Sequence, residues 1–158
     1  MMLKILLQTI LILCAANSFA CECPNSELSE LDETSYQSSD LIVIGEVIKT
    51  GTNYEIKMVE LLKGNINEKI IFGTTTDENG YTNSCIDVPF KKGKYLFYLE
   101  QVQKHGKIFY TYSICSGTRL LNMETIPISL MSLSTNKTKS QLIADTESWI
   151  NELRKRRK

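Results

Sequence analysis

The sequence is poor in the residues that most often catalyse reactions. Its one histidine, His105, stands beside Gly106 in a Lys-His-Gly-Lys segment that is typical of a hairpin tip. A serine or cysteine nucleophile needs a histidine held in a fixed place, which a mobile turn does not provide. The His-Glu-x-x-His pattern, a glycine-rich phosphate loop and a Cys-x-x-Cys pair are all missing from the sequence. We therefore predict that the chain is not an enzyme and holds no cofactor.

Long apolar runs are also scarce, and the one present lies at the amino end. Ile5 to Ala16 is mostly apolar, but it is too short for the ~20 residues that cross a bilayer. Lys4 precedes the run and Ser18-Phe19-Ala20 follows it, the pattern of a signal peptide with its cleavage site. We expect residues 1–20 to be removed and residues 21–158 to form one exported domain without a transmembrane span. The compartment is then extracellular, or periplasmic or cell-surface in a bacterium.

The sequence has no excess charge of one sign, with 18 basic and 18 acidic residues. One basic residue lies in the leader and five form the tail from Arg154 to Lys158, which leaves 12 basic against 18 acidic residues in the body. An acidic body argues against a nucleic-acid partner. The tail is interpreted as a solvated, frayed helix end, where cations face the negative end of the helix dipole. Contact with an acidic partner is the alternative.

Four cysteines remain once Cys14 leaves with the leader: Cys21, Cys23, Cys85 and Cys115. An even number of cysteines in an exported chain predicts disulfides, and four allow three connectivities. Because Cys21 and Cys23 are too close to bridge each other comfortably, two long bridges are favoured. Each would close a loop of ~60–95 residues and contribute ~4 kcal/mol on the chain-entropy model.

Hydrophobic periodicity predicts a β-rich domain. Five runs that are β-branched, aromatic or alternating predict strands at 41–48, 54–62, 69–72, 94–99 and 108–112. Their short, even spacing favours a small barrel or sandwich. Leu28 and Leu31 suggest a short helix before the first strand. From about 135 to 158 the period becomes helical, and one face is expected to dock on the barrel. That face consists of Leu142, Thr146, Trp149, Ile150 and Leu153.

Cleavage after Ala20 would give Cys21 a free α-amine, which disulfides at Cys21 and Cys23 could hold in place. The amine and the Cys21 carbonyl together can form a five-membered chelate around a metal ion. An α-amine with a pKa near ~8 is partly neutral at physiological pH, so it can displace the water of a catalytic zinc in another protein. The alternative is that the cysteines only tie down a loose terminus.

The chain resembles the netrin-like domain of the tissue inhibitors of metalloproteinases over about 100 residues, in the right order. The resemblance rests on Cys21-x-Cys23, residues 39–47, residues 54–64, and residues 93–98 leading to 113–115. It implies an OB-like five-stranded barrel and the disulfides Cys21–Cys85 and Cys23–Cys115. It also implies an inhibitor of a zinc metalloprotease, with the inhibitory segment Cys21-Glu22-Cys23 and with Cys21 as the ligand of the target's zinc. We expect the chain to be a monomer.

The sequence departs from that family at the second position, where its inhibitors carry a small Thr or Ser and this chain has Glu22. A third amino-domain disulfide and a second cysteine-rich subdomain are also missing. Netrin-like domains occur as extracellular binding modules too, which is the alternative function. A cysteine directly after a signal peptide can instead be lipidated in bacteria, although Ser18-Phe19-Ala20 fits such a site poorly.

Overall fold

The computed structural model describes Cys21, Cys23 and residues 27–76, 79–82, 84–122 and 137–157. The predicted leader, residues 1–20, and Glu22 lie outside the described residues. Within the described residues, two helices and six strands follow one another. They are α1 (Leu28–Ser38), β1 (Leu41–Lys49), β2 (Asn53–Lys63), β3 (Ile70–Thr74), β4 (Gly93–Lys104), β5 (Lys107–Thr111), β6 (Arg119–Leu120) and α2 (Lys139–Arg156).

Five of the strands close into a barrel. They pair in the order β1-β2-β3-β5-β4, and β4 pairs back onto β1 from Leu41↔Leu99 to Val47↔Gly93. All of these pairings are antiparallel except β3 with β5, which meet in parallel at Gly73↔Tyr110. The two-residue β6 adds to β4 outside the closed circle. The prediction of a mostly β fold with a five-stranded barrel and a helix near each end is confirmed.

The parallel seam between β3 and β5 depends on a tyrosine that crosses it. Tyr54 of β2 donates its hydroxyl to the Tyr110 carbonyl on β5 at 3.1 Å. Its ring lies directly over Gly73, where an added Cβ would fall 1.8 Å from Tyr54 Cε2. Gly73 therefore leaves the space through which one side chain links three strands.

The sheet is buried on both faces along β1, because α2 packs against the outside of the barrel. Leu41, Val43 and Val47 face the barrel interior, whereas Ile42 and Ile44 belong to a second core. That second core also contains Leu62, Leu96, Tyr98, Ile150 and Leu153. The predicted docking face of α2 is confirmed, with Leu142, Thr146, Ile150 and Leu153 buried and Trp149 half-buried.

A buried polar network joins four elements beneath α2. Arg119 of β6 is fully buried and forms a two-pronged ion pair with Asp32 of α1, Nη1–Oδ1 2.5 Å and Nη2–Oδ2 2.9 Å. Arg119 Nε donates to Thr146 Oγ1 on α2 at 2.8 Å. Tyr98 of β4 donates to Asp32 Oδ1 at 2.7 Å and accepts from Trp149 Nε1 at 2.6 Å. The buried charges are thus paired and hydrogen-bonded, which is the condition under which they are tolerated.

The tail is solvated as predicted, with the side chains from Arg154 to Arg157 exposed, but the helix is not frayed there and extends to Arg156. α2 begins at a Thr138–Gln141 capping box and continues to Arg156, because its arginines find fixed partners. Arg154 Nη2 pairs with Glu60 of β2 at 2.7 Å, and Arg156 Nη1 pairs with Glu33 of α1 at 2.8 Å. Among the described residues, no helix is long and apolar enough to cross a membrane.

Candidate functional site

Two disulfides fix Cys21 and Cys23 to the barrel. Cys21 is bonded to Cys85 with a Cα–Cα distance of 5.2 Å, and Cys23 is bonded to Cys115 with 5.1 Å. This is the pairing that the family resemblance implied. The two bridges span 64 and 92 residues of sequence, so each ties the Cys21–Cys23 segment to a distant part of the fold.

The two loops that receive these bridges form a single platform. Ile86 and Ser113 pair as an isolated antiparallel bridge between the loops. Ile114 N donates to the Cys85 carbonyl at 2.8 Å, and Asp87 N donates to the Tyr112 carbonyl at 3.0 Å. Because backbone hydrogen bonds join the segments that carry Cys85 and Cys115, both bridges anchor to one rigid surface rather than to two independent loops.

The sulfur atoms of the two bridges touch. Cys21 Sγ lies 3.9 Å from Cys115 Sγ, and both Cys21 and Cys23 are half-buried. Cys115 N donates to Ser113 Oγ at 3.0 Å, which orders the turn beneath the sulfurs. The structure therefore holds both predicted cysteines of the inhibitory segment at one end of the barrel. Glu22 stands between them in the sequence, outside the described residues.

The platform also contains one carboxylate, that of Asp87, which lies on the side that faces the barrel. It follows Cys85 by two residues, is half-buried, and accepts from Val88 N at 2.8 Å. Burial raises the pKa of Asp87 above its ordinary value, while the Val88 bond opposes this shift. No sequence pattern indicated a role for this residue, because a single aspartate in a loop is usually a solvated side chain.

The Asp87 carboxylate faces three tyrosines of the barrel core. Burial raises the pKa of Tyr54, Tyr95 and Tyr112, and the Asp87 charge raises each of them further. The hydroxyls consequently remain neutral donors. Tyr95 donates to the Lys91 carbonyl at 3.0 Å. The barrel end beneath the disulfide platform is thus an aromatic layer with one charged group above it.

Two exposed aromatic residues flank Cys85 in the sequence. Tyr81 is 75% exposed and Phe90 is 57% exposed. Large apolar side chains in water cost free energy that contact with a partner would recover. The platform therefore combines a disulfide-fixed backbone with apolar side chains on its flanking segments.

His105 occupies the β4–β5 turn, as predicted, with a φ of 51° and an exposed side chain. Left-handed backbone of this kind is typical of tight turns. In the part of the chain that the structure describes, no three or more His, Cys, Asp or Glu side chains are grouped so that they could hold a metal ion.

No protein-family model and no curated protein matches the sequence. The fold and site define the chain as a closed five-stranded β-barrel to which disulfides anchor Cys21 and Cys23 and on which a C-terminal helix is docked.

Proposed function

We propose that the chain is exported and inhibits zinc metalloproteases in the manner of the tissue inhibitors of metalloproteinases. The observation that carries this proposal is the anchoring of Cys21 and Cys23 to one platform through two disulfides. An inhibitor that presents its own backbone as a metal ligand must hold that backbone rigid, since ordering it at binding would cost affinity. The platform supplies that rigidity before any partner arrives.

The chemistry resides in the first residue of the mature chain. Once the leader is removed after Ala20, the Cys21 α-amine and the Cys21 carbonyl oxygen can occupy two positions on a protease zinc. A catalytic zinc keeps such a position open for water or substrate. The chain needs no metal of its own in this mechanism, because the zinc belongs to the target.

Glu22 would set which proteases are inhibited. Directly after the chelating residue, its side chain would enter the specificity pocket beside the zinc. A carboxylate buried without a partner costs several kcal/mol, so apolar pockets would reject it and basic pockets would accept it. We therefore expect targets whose pocket carries an arginine or lysine.

An alanine placed before Cys21 tests the chelation mechanism. The mature protein and the extended protein are assayed against a panel of zinc metalloproteases with a fluorogenic peptide. We expect the extension to abolish inhibition, because the amine becomes an amide. As a matched control, an alanine inserted between His105 and Gly106, in the β4–β5 turn, should leave inhibition intact. Inhibition that survives the amino-terminal extension would show that chelation is wrong.

The same assay tests Glu22 through Glu22→Thr, with Glu27→Thr as the control on an exposed glutamate outside the segment. We expect Glu22→Thr to strengthen inhibition of proteases with apolar pockets and the control to change nothing. Equal or weaker inhibition by Glu22→Thr would contradict the specificity role. Intact mass and amino-terminal sequencing of the secreted protein should give an unmodified Cys21 and two disulfides, whereas a lipid adduct would remove the chelating amine.

The exposed aromatic side chains favour a second candidate, an extracellular binding module without inhibitory activity. Tyr81 and Phe90 flank the platform, and Phe72 is 51% exposed on β3. A module of this kind does not require a free amine at Cys21. It would retain partner binding in the alanine-extended protein while neither form inhibits a protease.

A further inference from the structure

The end of α2 gathers cations beyond those that hold it to the barrel. Arg154 and Arg156 have structural partners in Glu60 and Glu33. Lys155, whose side chain is 74% exposed, pairs with Glu152 at 3.6 Å, and Arg156 pairs with the same carboxylate.

Further cations border this helix end. Arg157 donates to the Leu61 carbonyl, which carries no compensating charge. Lys63 donates to the carbonyls of Tyr36 and Ser39 at 2.5 and 2.6 Å. Lys94 is exposed, and its charge acts on Glu60.

Together these residues form a cationic surface, which we define by six cations and three carboxylates. The cations are Lys63, Lys94, Arg154, Lys155, Arg156 and Arg157, and the carboxylates are Glu33, Glu60 and Glu152. The rest of the body has more acidic than basic residues, so this surface is positive on a molecule whose remainder is negative. Such a surface attracts anions over about a Debye length, ~8 Å at physiological salt.

The cationic surface is held in a fixed geometry. The Arg156 guanidinium lies over two aromatic rings, 5.0 Å from the centre of Tyr36 and 4.9 Å from that of Trp149. Lys63 Nζ also lies over the Tyr36 ring, 4.7 Å from its centre. Side chains that are ordered in advance lose little entropy when a ligand binds, and guanidinium groups match the geometry of oxyanions.

We propose that the cationic surface binds a linear sulfated polysaccharide. Its guanidinium and ammonium groups suit the closely spaced sulfates of such a chain. The excess of acidic over basic residues in the body argues against a nucleic-acid duplex. Insertion into a bilayer needs an exposed apolar helix face, whereas Leu142, Ile150 and Leu153 of α2 are buried against the rest of the fold.

The test uses heparin as the polysaccharide and compares two variants of the mature protein that each lose two positive charges from one region. Lys155→Gln/Arg157→Gln alters the cationic surface. Lys137→Gln/Lys139→Gln alters the other end of α2, about 25 Å away along an 18-residue helix. All four side chains are exposed, and a melting curve for each variant checks that folding is unchanged.

We expect the mature protein to bind heparin at physiological salt. The Lys155→Gln/Arg157→Gln variant should bind at least about tenfold more weakly, and its slope of log Kd against log salt should fall by about 2. The Lys137→Gln/Lys139→Gln variant should stay within about twofold. Glu152→Gln should tighten binding, because it removes a carboxylate from the surface.

Equal losses in the two double variants would overturn the proposal, as would no binding to heparin. Binding to phosphatidylserine vesicles or to duplex DNA in preference to heparin would also overturn it and would identify another anion source. None of these outcomes depends on the free amine of Cys21, so the result is independent of protease inhibition.

Discussion

Neutralising Asp32 should strongly destabilise the fold while leaving its shape intact. The Asp32 carboxylate accepts three hydrogen bonds, two from Arg119 and one from Tyr98, and is only 2% exposed. Asp32→Asn keeps the volume but leaves the fully buried Arg119 charge without a counterion. Breaking one side of a buried pair costs about 3–5 kcal/mol, a large share of the ~5–15 kcal/mol by which domains are stable.

Equilibrium urea unfolding without reductant measures this cost. The single tryptophan, Trp149, donates to Tyr98 within the network, so its fluorescence reports on the docking of α2. With a slope of about 2 kcal/mol per molar urea, the midpoint should fall by roughly 2 M. Glu30→Gln, an exposed change in the same helix, should shift the free energy of unfolding by less than about 0.5 kcal/mol.

A double variant separates the contribution of the Asp32–Arg119 ion pair from that of side-chain packing. Replacing both partners by apolar residues, Asp32→Leu with Arg119→Met, removes both charges together. It should cost less than the sum of the single changes, because no unpaired charge remains buried. If Asp32→Asn lowers the free energy of unfolding by less than about 1 kcal/mol, the account of the network is wrong.

The remaining predictions concern the platform carboxylate and the barrel seam. Because burial raises the pKa of Asp87, its charged form destabilises the native state above that pKa. Asp87→Asn should therefore raise the melting temperature at pH 7. The gain should vanish as the pH falls through the pKa of Asp87 in the folded protein. A gain that persists at pH 3 would contradict this explanation. Gly73→Ala should cost about 3 kcal/mol in chemical denaturation, since its Cβ would meet the Tyr54 ring. The same change in a Tyr54→Ala background should cost far less, and an equal cost there would refute the steric explanation.

The sequence predicted the barrel well, because alternation and β-branched runs are direct consequences of a pleated, half-buried strand. The observed strand boundaries differ from the predicted ones where one strand pairs with two neighbours. β4 extends to Lys104 because its first half pairs with β1 and its second half with β5. The two-residue β6 was missed, since two residues carry no period. These differences arise from tertiary contacts that local patterns do not contain.

The polar network could not be predicted from the sequence. Arginine and aspartate are usually exposed, and Asp32 and Arg119 are 87 residues apart. The same reason explains why the tail was wrongly expected to fray, because Glu33 and Glu60 reach Arg156 and Arg154 only in the folded molecule.

The disulfide pairing was only partly predictable from the sequence, unlike the barrel, which was predicted well, and the polar network, which was not predicted. The residues themselves left three connectivities open, the family resemblance implied one, and the structure contains that one. The joining of the Cys85 and Cys115 loops into one platform had no local signal, because it consists of backbone hydrogen bonds between distant segments.

The packing of α2 against α1 and β2 also affects how the chain reaches its fold. Arg156 meets Glu33 across 123 residues of sequence, and Arg154 meets Glu60 across 94. Contacts between residues so far apart in sequence form only after large loops close, which costs conformational entropy. The chain is therefore expected to fold more slowly than a helical bundle. During synthesis, Asp32 and Arg119 emerge well before Thr146 and Trp149. The barrel would therefore spend time with its outer core uncovered, a stage at which exposed apolar strands are prone to aggregate.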